Sequence, residues 1–170
     1  MSNYGAYRSV YKDEQMNKPR VFYTQSLQEI KSPNENVMTQ FNQYLSEYQV
    51  VVVKIWAEWC QPCKQASERL NTIIQDLYNT YPRLFETKGH IIFLDDDIDS
   101  DESIHKEKVN AIPNFFIYSS LNQKNIVQSF TNLDFQSFEM ILREICDVLY
   151  RKLISSDMSP SSNVQIEYRQ

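Results

Sequence analysis

With 170 residues, 42% of them hydrophobic and 23% charged, the chain can pack one domain and is too short for two ordinary ones. The apolar run Val50 to Val53 stops at Lys54, far short of the ~20 residues of a membrane span, and the first thirty residues lack the apolar stretch of a secretory leader. A net charge of −5 argues against generic nucleic-acid binding, three cysteines are too few for a stapled scaffold, and two glycines leave no glycine-rich phosphate cradle.

Residues 1–19 show no sustained period and read as an arm, although Tyr4, Tyr7 and Tyr11 stand at helical spacing. The domain is expected over 20–153, beginning with a short strand at Val21 to Tyr23. Ser32-Pro33-Asn34-Glu35 has the hydroxyl, proline and glutamate of a capping box, opening a helix with Met38, Phe41, Leu45 and Tyr48 on one face. Val50 to Trp56 is β-branched and almost uninterrupted, which suits a central strand covered on both faces. After Cys60 the apolar positions become Ala66, Leu70, Ile73, Ile74, Leu77 and Tyr81, the stripe of a long helix ending before Pro82.

His90 to Leu94 reads as a second buried strand and Ser100 to Lys108 as a short polar helix. Phe115 to Tyr118 and Ile126 to Phe130 make two further strands around an Asn- and Lys-rich turn. A last helix over Asp134 to Leu153 presents Phe138, Ile141, Leu142, Ile145 and Leu149, and the serine-rich stretch after it reads as a solvated tail, 154–170. Alternating strands and helices closed by a hairpin imply an α/β fold, a central sheet with helices on both faces.

Trp59-Cys60-Gln61-Pro62-Cys63-Lys64 carries the chemistry. Two cysteines separated by two residues at a strand-to-helix junction can close a small disulfide loop. The first meets the positive end of the helix dipole and its free N–H groups, which stabilise a thiolate. Lowering a thiol pKa from ~8.5 to ~7 takes only about 2 kcal/mol, within reach of a helix end. About half the thiol is then ionised at neutral pH without its nucleophilicity being destroyed. A structural zinc site would need four ligands, and only Cys146, His90 and His105 remain, none in a second paired motif. No metal or other cofactor is expected.

The segment Trp56-Ala57-Glu58-Trp59-Cys60-Gln61-Pro62-Cys63-Lys64 resembles the active-site segment of the thioredoxin family, usually Trp-Ala-Glu-Trp-Cys-Gly-Pro-Cys-Lys, and Ile112-Pro113 ahead of Phe115 resembles its second landmark. The resemblance spans about 20–153 and implies a thioredoxin-like fold with a central mixed sheet. It makes Cys60 the attacking cysteine, with a pKa lowered as thioredoxin itself illustrates, and Cys63 the resolving one. It also implies a cis-proline at Pro113 facing the disulfide, a client segment paired with the backbone of Ile112, and Trp59, Gln61 and Pro62 around the groove. Gln61 stands where the family has glycine, Glu68 where a kink proline is usual, and Thr131 near a groove glycine; Asn79 to Gly89 is longer than usual. Lys54 stands where the family buries an aspartate opposite a lysine, and Asp95 falls at the lysine's place, so the pair reads as exchanged.

The acidic run Asp95, Asp96, Asp97, Asp99, Asp101 and Glu102 lacks the glycine and glutamate of a calcium loop and reads as a solvated helix start. His105 is expected exposed on that helix, and Cys146 is expected as a small core residue. The functional expectation is a protein disulfide reductase acting on disulfide-containing clients with an unidentified reductant, without nucleic acid or membrane. The alternative is a redox-weak binding or structural module of the same fold. The absence of a leader points to the cytoplasm; a lean towards Asn, Ile, Tyr and Lys suits an AT-rich genome, and for a large virus the factory or virion.

Overall fold

The run Val50-Val51-Val52-Val53-Lys54-Ile55-Trp56 forms the middle of the sheet in a computed structural model that describes residues 24–30, 36–121 and 125–157. The strands are β1 (Gln25–Ser26), β2 (Val50–Trp56), β3 (Ile91–Asp97), β4 (Asn114–Ser119) and β5 (Ile126–Thr131). The helices are α1 (Leu27–Ile30), α2 (Val37–Glu47), α3 (Gln61–Thr80), α4 (Pro82–Glu86) and α5 (Phe135–Asp157). The sheet order is β1-β3-β2-β4-β5, with β1 and β2 parallel to β3, β4 antiparallel to β2, and β5 antiparallel to β4. This is the mixed sheet of the expected fold class.

Side chains of β2 alternate between two cores, as the pleat requires. Val50 and Val52 join Ile91, Phe93, Phe115 and Ile117 beneath α3, α4 and α5. Val51, Val53 and Ile55 join Ile92, Leu94 and Phe116 beneath α1 and α2. Covering both faces explains why the strand is apolar at every position but Lys54, with no polar alternation. On the first face Phe138 of α5 stacks on Phe115 at 4.6 Å between ring centroids, and Leu70, Ile74 and Leu77 bring α3 against the same cluster. The long stretch before β3 contains α4, which buries Leu84 and Phe85. Gly89 then takes a φ of +98° that turns the chain into β3, a conformation costly for any residue with a Cβ.

Several expected elements shift or vanish. The strand at Val21 to Tyr23, the tyrosine-bearing arm and the capping box Ser32 to Glu35 lie outside the described residues. The described helix α2 is capped by Asn36, whose Oδ1 accepts the Thr39 N–H at 2.8 Å. It buries Val37, Gln40 and Phe41, while Met38 points outward and Tyr48 already lies past the last turn. The helix expected at Ser100 to Lys108 is reduced to one 3₁₀ turn, Lys106–Lys108. Here the Ile104 and His105 N–H groups donate to the buried carboxylate of Asp96, at 3.1 and 2.9 Å. Helix α5 extends to Asp157, and no described helix is long and apolar enough to cross a membrane.

Candidate active site

Where β2 ends, Ala57 turns the chain into α3 and accepts the Cys60 N–H at 3.2 Å. Cys60 is the N-cap residue, with extended backbone at φ −86° and ψ 104°, and its Sγ accepts the Cys63 N–H at 3.2 Å. That contact places the sulfur on the unpaired donors of the first helical turn, where a thiolate is favoured. Pro62 occupies the same turn, where its missing N–H leaves no gap. Cys60 and Cys63 are joined as a disulfide with their Cα atoms 5.2 Å apart. Both are buried, beside Trp56, Ile98 and Ile112, while Gln61 and Pro62 are exposed on the outer side.

Two further segments converge on this end. The Ile112–Pro113 bond is cis, and the Ile112 carbonyl oxygen lies 3.9 Å from Cys60 Sγ. Trp59 is 70% exposed and donates its indole N–H to Asp99 Oδ2 at 2.7 Å, which fixes the ring beside the cysteines. Burial, with repulsion from Asp99, Asp96 and Glu58, raises the Asp97 carboxyl above its ordinary range, although the Asp99 N–H donates to it at 3.0 Å.

Behind the disulfide, Lys54 and Asp95 face one another as register partners across β2 and β3. Lys54 is fully buried, and its Nζ donates to Ser67 Oγ at 2.7 Å. The Ser67 hydroxyl donates in turn to the Cys63 carbonyl at 2.8 Å, so the lysine is tied to the turn that carries Cys63. Burial lowers the Lys54 pKa to about 8, while attraction to Asp95 works the other way. Asp95 also accepts the Trp56 indole N–H at 3.2 Å.

The reading of the acidic run needs correction. Asp95 and Asp96 are buried within β3, on opposite faces, and do not begin a solvated helix. His105, expected at the surface, is fully buried: its Nδ1 lies 2.8 Å from Asp96 Oδ2 and its Nε2 2.7 Å from the Tyr118 hydroxyl. With the helix absent, the chain folds back over β3 and carries the imidazole inward. Ser67 had no place in the sequence reading; Asp96 and Asp99 entered it only as part of the acidic run, and Tyr118 only as the end of a strand. The one signal that could have found Ser67 is its position one helical turn after Cys63. Cys146 is buried in α5, and burial pushes its thiol up to about 12. Among the described residues, no three or more His, Cys, Asp or Glu side chains are gathered in a group that could hold a metal ion.

Residues 32–138 match the family model described as Thioredoxin. Thioredoxin 1 of Plasmodium falciparum (isolate 3D7) is 28% identical over 82 residues, covering 48% of this chain and 68% of that one. The thioredoxin of Coprinus comatus is 24% identical over 82 residues, covering 48% of this chain and 69% of that one. The crystal structure of thioredoxin from Trypanosoma brucei brucei has a TM-score of 0.54 at 21% identity, covering 76% of this chain and 96% of that one, a likeness of fold.

Proposed function

Because the chain belongs to the thioredoxin family and is a thiol-disulfide oxidoreductase of that type, a protein disulfide reductase, we propose that Cys60 is its attacking thiolate and Cys63 its resolving thiol. The Cys60 thiolate attacks one sulfur of a client disulfide. A Cys60–client disulfide forms and the other client sulfur leaves as a thiolate, which takes up a proton. Cys63, deprotonated, then attacks Cys60 Sγ; the second client thiolate departs, and the Cys60–Cys63 disulfide retains the oxidising equivalents. Two electrons have passed to the client, and a dithiol reductant returns two to the enzyme by the same exchange in reverse.

The observation that carries this assignment is the Cys60–Cys63 disulfide at the start of α3, with the Ile112 carbonyl 3.9 Å from Cys60 Sγ. Client capture is assigned to an extended segment pairing with the backbone of Ile112 beside Pro113, flanked by the exposed Trp59 and by Gln61 and Pro62. Lys54 and Asp95 are assigned to tuning Cys63. With its pKa near 8, Lys54 is still charged at neutral pH, and a buried cation close to the Cys63 turn favours the thiolate over the thiol. A reducing compartment such as the cytoplasm is where such a cycle runs towards client reduction.

Insulin precipitation driven by dithiothreitol tests the assignment. The wild-type protein should accelerate it, Cys60→Ser should not, and Cys63→Ser should accumulate mixed disulfides whose isolation identifies the clients. A wild-type rate no greater than that of dithiothreitol alone would sink the reading.

A further inference from the structure

The buried chain Asp96–His105–Tyr118 has no place in the sulfur chemistry, yet it joins three separate segments around one loop. Asp96 Oδ1 accepts the Gln28 amide N–H at 2.6 Å. Asp96 Oδ2 accepts the backbone N–H groups of Ile104 and His105 and lies 2.8 Å from His105 Nδ1. A carboxylate only accepts, so Nδ1 carries a proton and donates to Asp96, and Nε2 pairs with the Tyr118 hydroxyl at 2.7 Å. The imidazole is also held by aromatic contacts, edge-on to Phe41 at 5.5 Å and tilted against Phe116 at 5.0 Å. Burying an ionised carboxylate is costly unless its oxygens are satisfied, and here four donors converge on Asp96.

The placement of this chain gives it a consequence. Asp96 lies near the end of β3, His105 in the connection after it, and Tyr118 in β4, so the hydrogen bonds grip the polypeptide both before and after Ile112–Pro113. Between β3 and β4 the only helical turn is the 3₁₀ segment Lys106–Lys108, closed by the Lys108 N–H on the His105 carbonyl at 2.9 Å. Val109 and Ile112 then lean on the same apolar cluster as Phe41 and Phe116. In a connection with so little backbone ladder of its own, side-chain hydrogen bonds set where the loop stands.

We infer that Asp96, His105 and Tyr118 are positioning residues for client capture: they fix the Ile112 backbone relative to Cys60 Sγ and leave the reactivity of the dithiol untouched. The inference rests on the assignment of Ile112 as the client-pairing backbone. A protein disulfide needs that backbone in register, whereas a small aromatic disulfide has no backbone to pair and needs only to reach Cys60 Sγ.

The test compares insulin with 5,5′-dithiobis(2-nitrobenzoate) in two variants. His105→Phe keeps an aromatic ring beside Phe41 and Phe116 and removes both ring hydrogen bonds; Tyr118→Phe removes only the outer one. For insulin, KM should rise about fivefold in His105→Phe and about twofold in Tyr118→Phe, with kcat and the small-disulfide rate each within about 1.3-fold of wild type. Amide exchange at Ile104 and Ile112, measured without client, should quicken by about tenfold in His105→Phe while amides of β2 stay protected. Equal losses on insulin and the small disulfide, or no change in KM and exchange, would overturn the inference. Should His105→Phe fail to fold, the same comparison in Tyr118→Phe decides. Wild-type failure on insulin would refute the client-pairing assignment instead, and the client-free exchange measurement separates the two.

Discussion

A lysine with no exposed surface is held at a pKa near 8 because water is excluded from it, and Asp95 recovers only part of that loss. Two expectations follow from where that value sits. At pH 7 Lys54 is a cation tied through Ser67 to the Cys63 turn, so Lys54→Met should raise the Cys63 pKa and slow the resolving step by about tenfold. Stopped-flow reaction of the reduced protein with 5,5′-dithiobis(2-nitrobenzoate) separates the steps, because attack and resolution release successive thiolates. The variant's deficit should shrink above pH 8, where the wild-type lysine itself loses its charge; a deficit constant to pH 10 rejects the tuning role. The stability sign is the reverse of an ordinary ion pair. Between about 8 and the unfolded value of 10.5, the unfolded chain binds the proton more tightly than the folded one, so stability rises with pH. Relative to Lys54→Met, the oxidised wild-type protein should gain about 3 kcal/mol in urea unfolding across that window and be level on either side.

Two helices treat their cysteines in opposite ways. At the start of α3, Cys60 faces free N–H groups; inside α5, Cys146 is buried in the same apolar cluster as Leu142 and Leu149, and burial lifts its thiol to about 12. In the reduced native protein at pH 7.5, iodoacetamide should therefore alkylate Cys60 first and leave Cys146 unmodified until the protein is unfolded, as peptide mass spectrometry would show. Alkylation of Cys146 at a rate comparable to Cys60 contradicts this. The same contrast explains what the sequence made legible. The Cys60–Cys63 spacing, Pro62 and the run Val50 to Trp56 announce their places because each depends on local chemistry or on a period. The opposition of Lys54 and Asp95 was legible only through resemblance to a family that keeps the reverse pair. His105 was misread because its position is set by Asp96, nine residues earlier, through contacts that follow no period. Met38 was misread because Asn36 caps α2, and the buried face falls on Val37, Gln40 and Phe41.

At the scale of the whole molecule, the sheet divides the interior, and the site lies where the halves meet. Helix α3, with Cys60 and Cys63 at its start, is seated on the cluster containing Phe115 and Phe138. The loop bearing Ile112 is seated on the other cluster, with Phe41, Phe116 and His105. Among the described residues, Ile98 and Ile112 of that second cluster pack, together with Trp56, against the pocket around the disulfide. Such a division makes the two supports separable. Phe138→Leu and Phe41→Leu should each cost about 1–2 kcal/mol in urea unfolding, and the double variant should match the sum within about 0.5 kcal/mol, because the residues share no partner across the sheet. Their functional effects should differ: Phe41 packs edge-on against both His105 and Tyr118, so Phe41→Leu should raise the insulin KM, and Phe138→Leu should not. If the insulin KM instead tracked lost stability equally in both variants, the loop would have no support of its own, and client capture would depend on the fold as a single rigid unit.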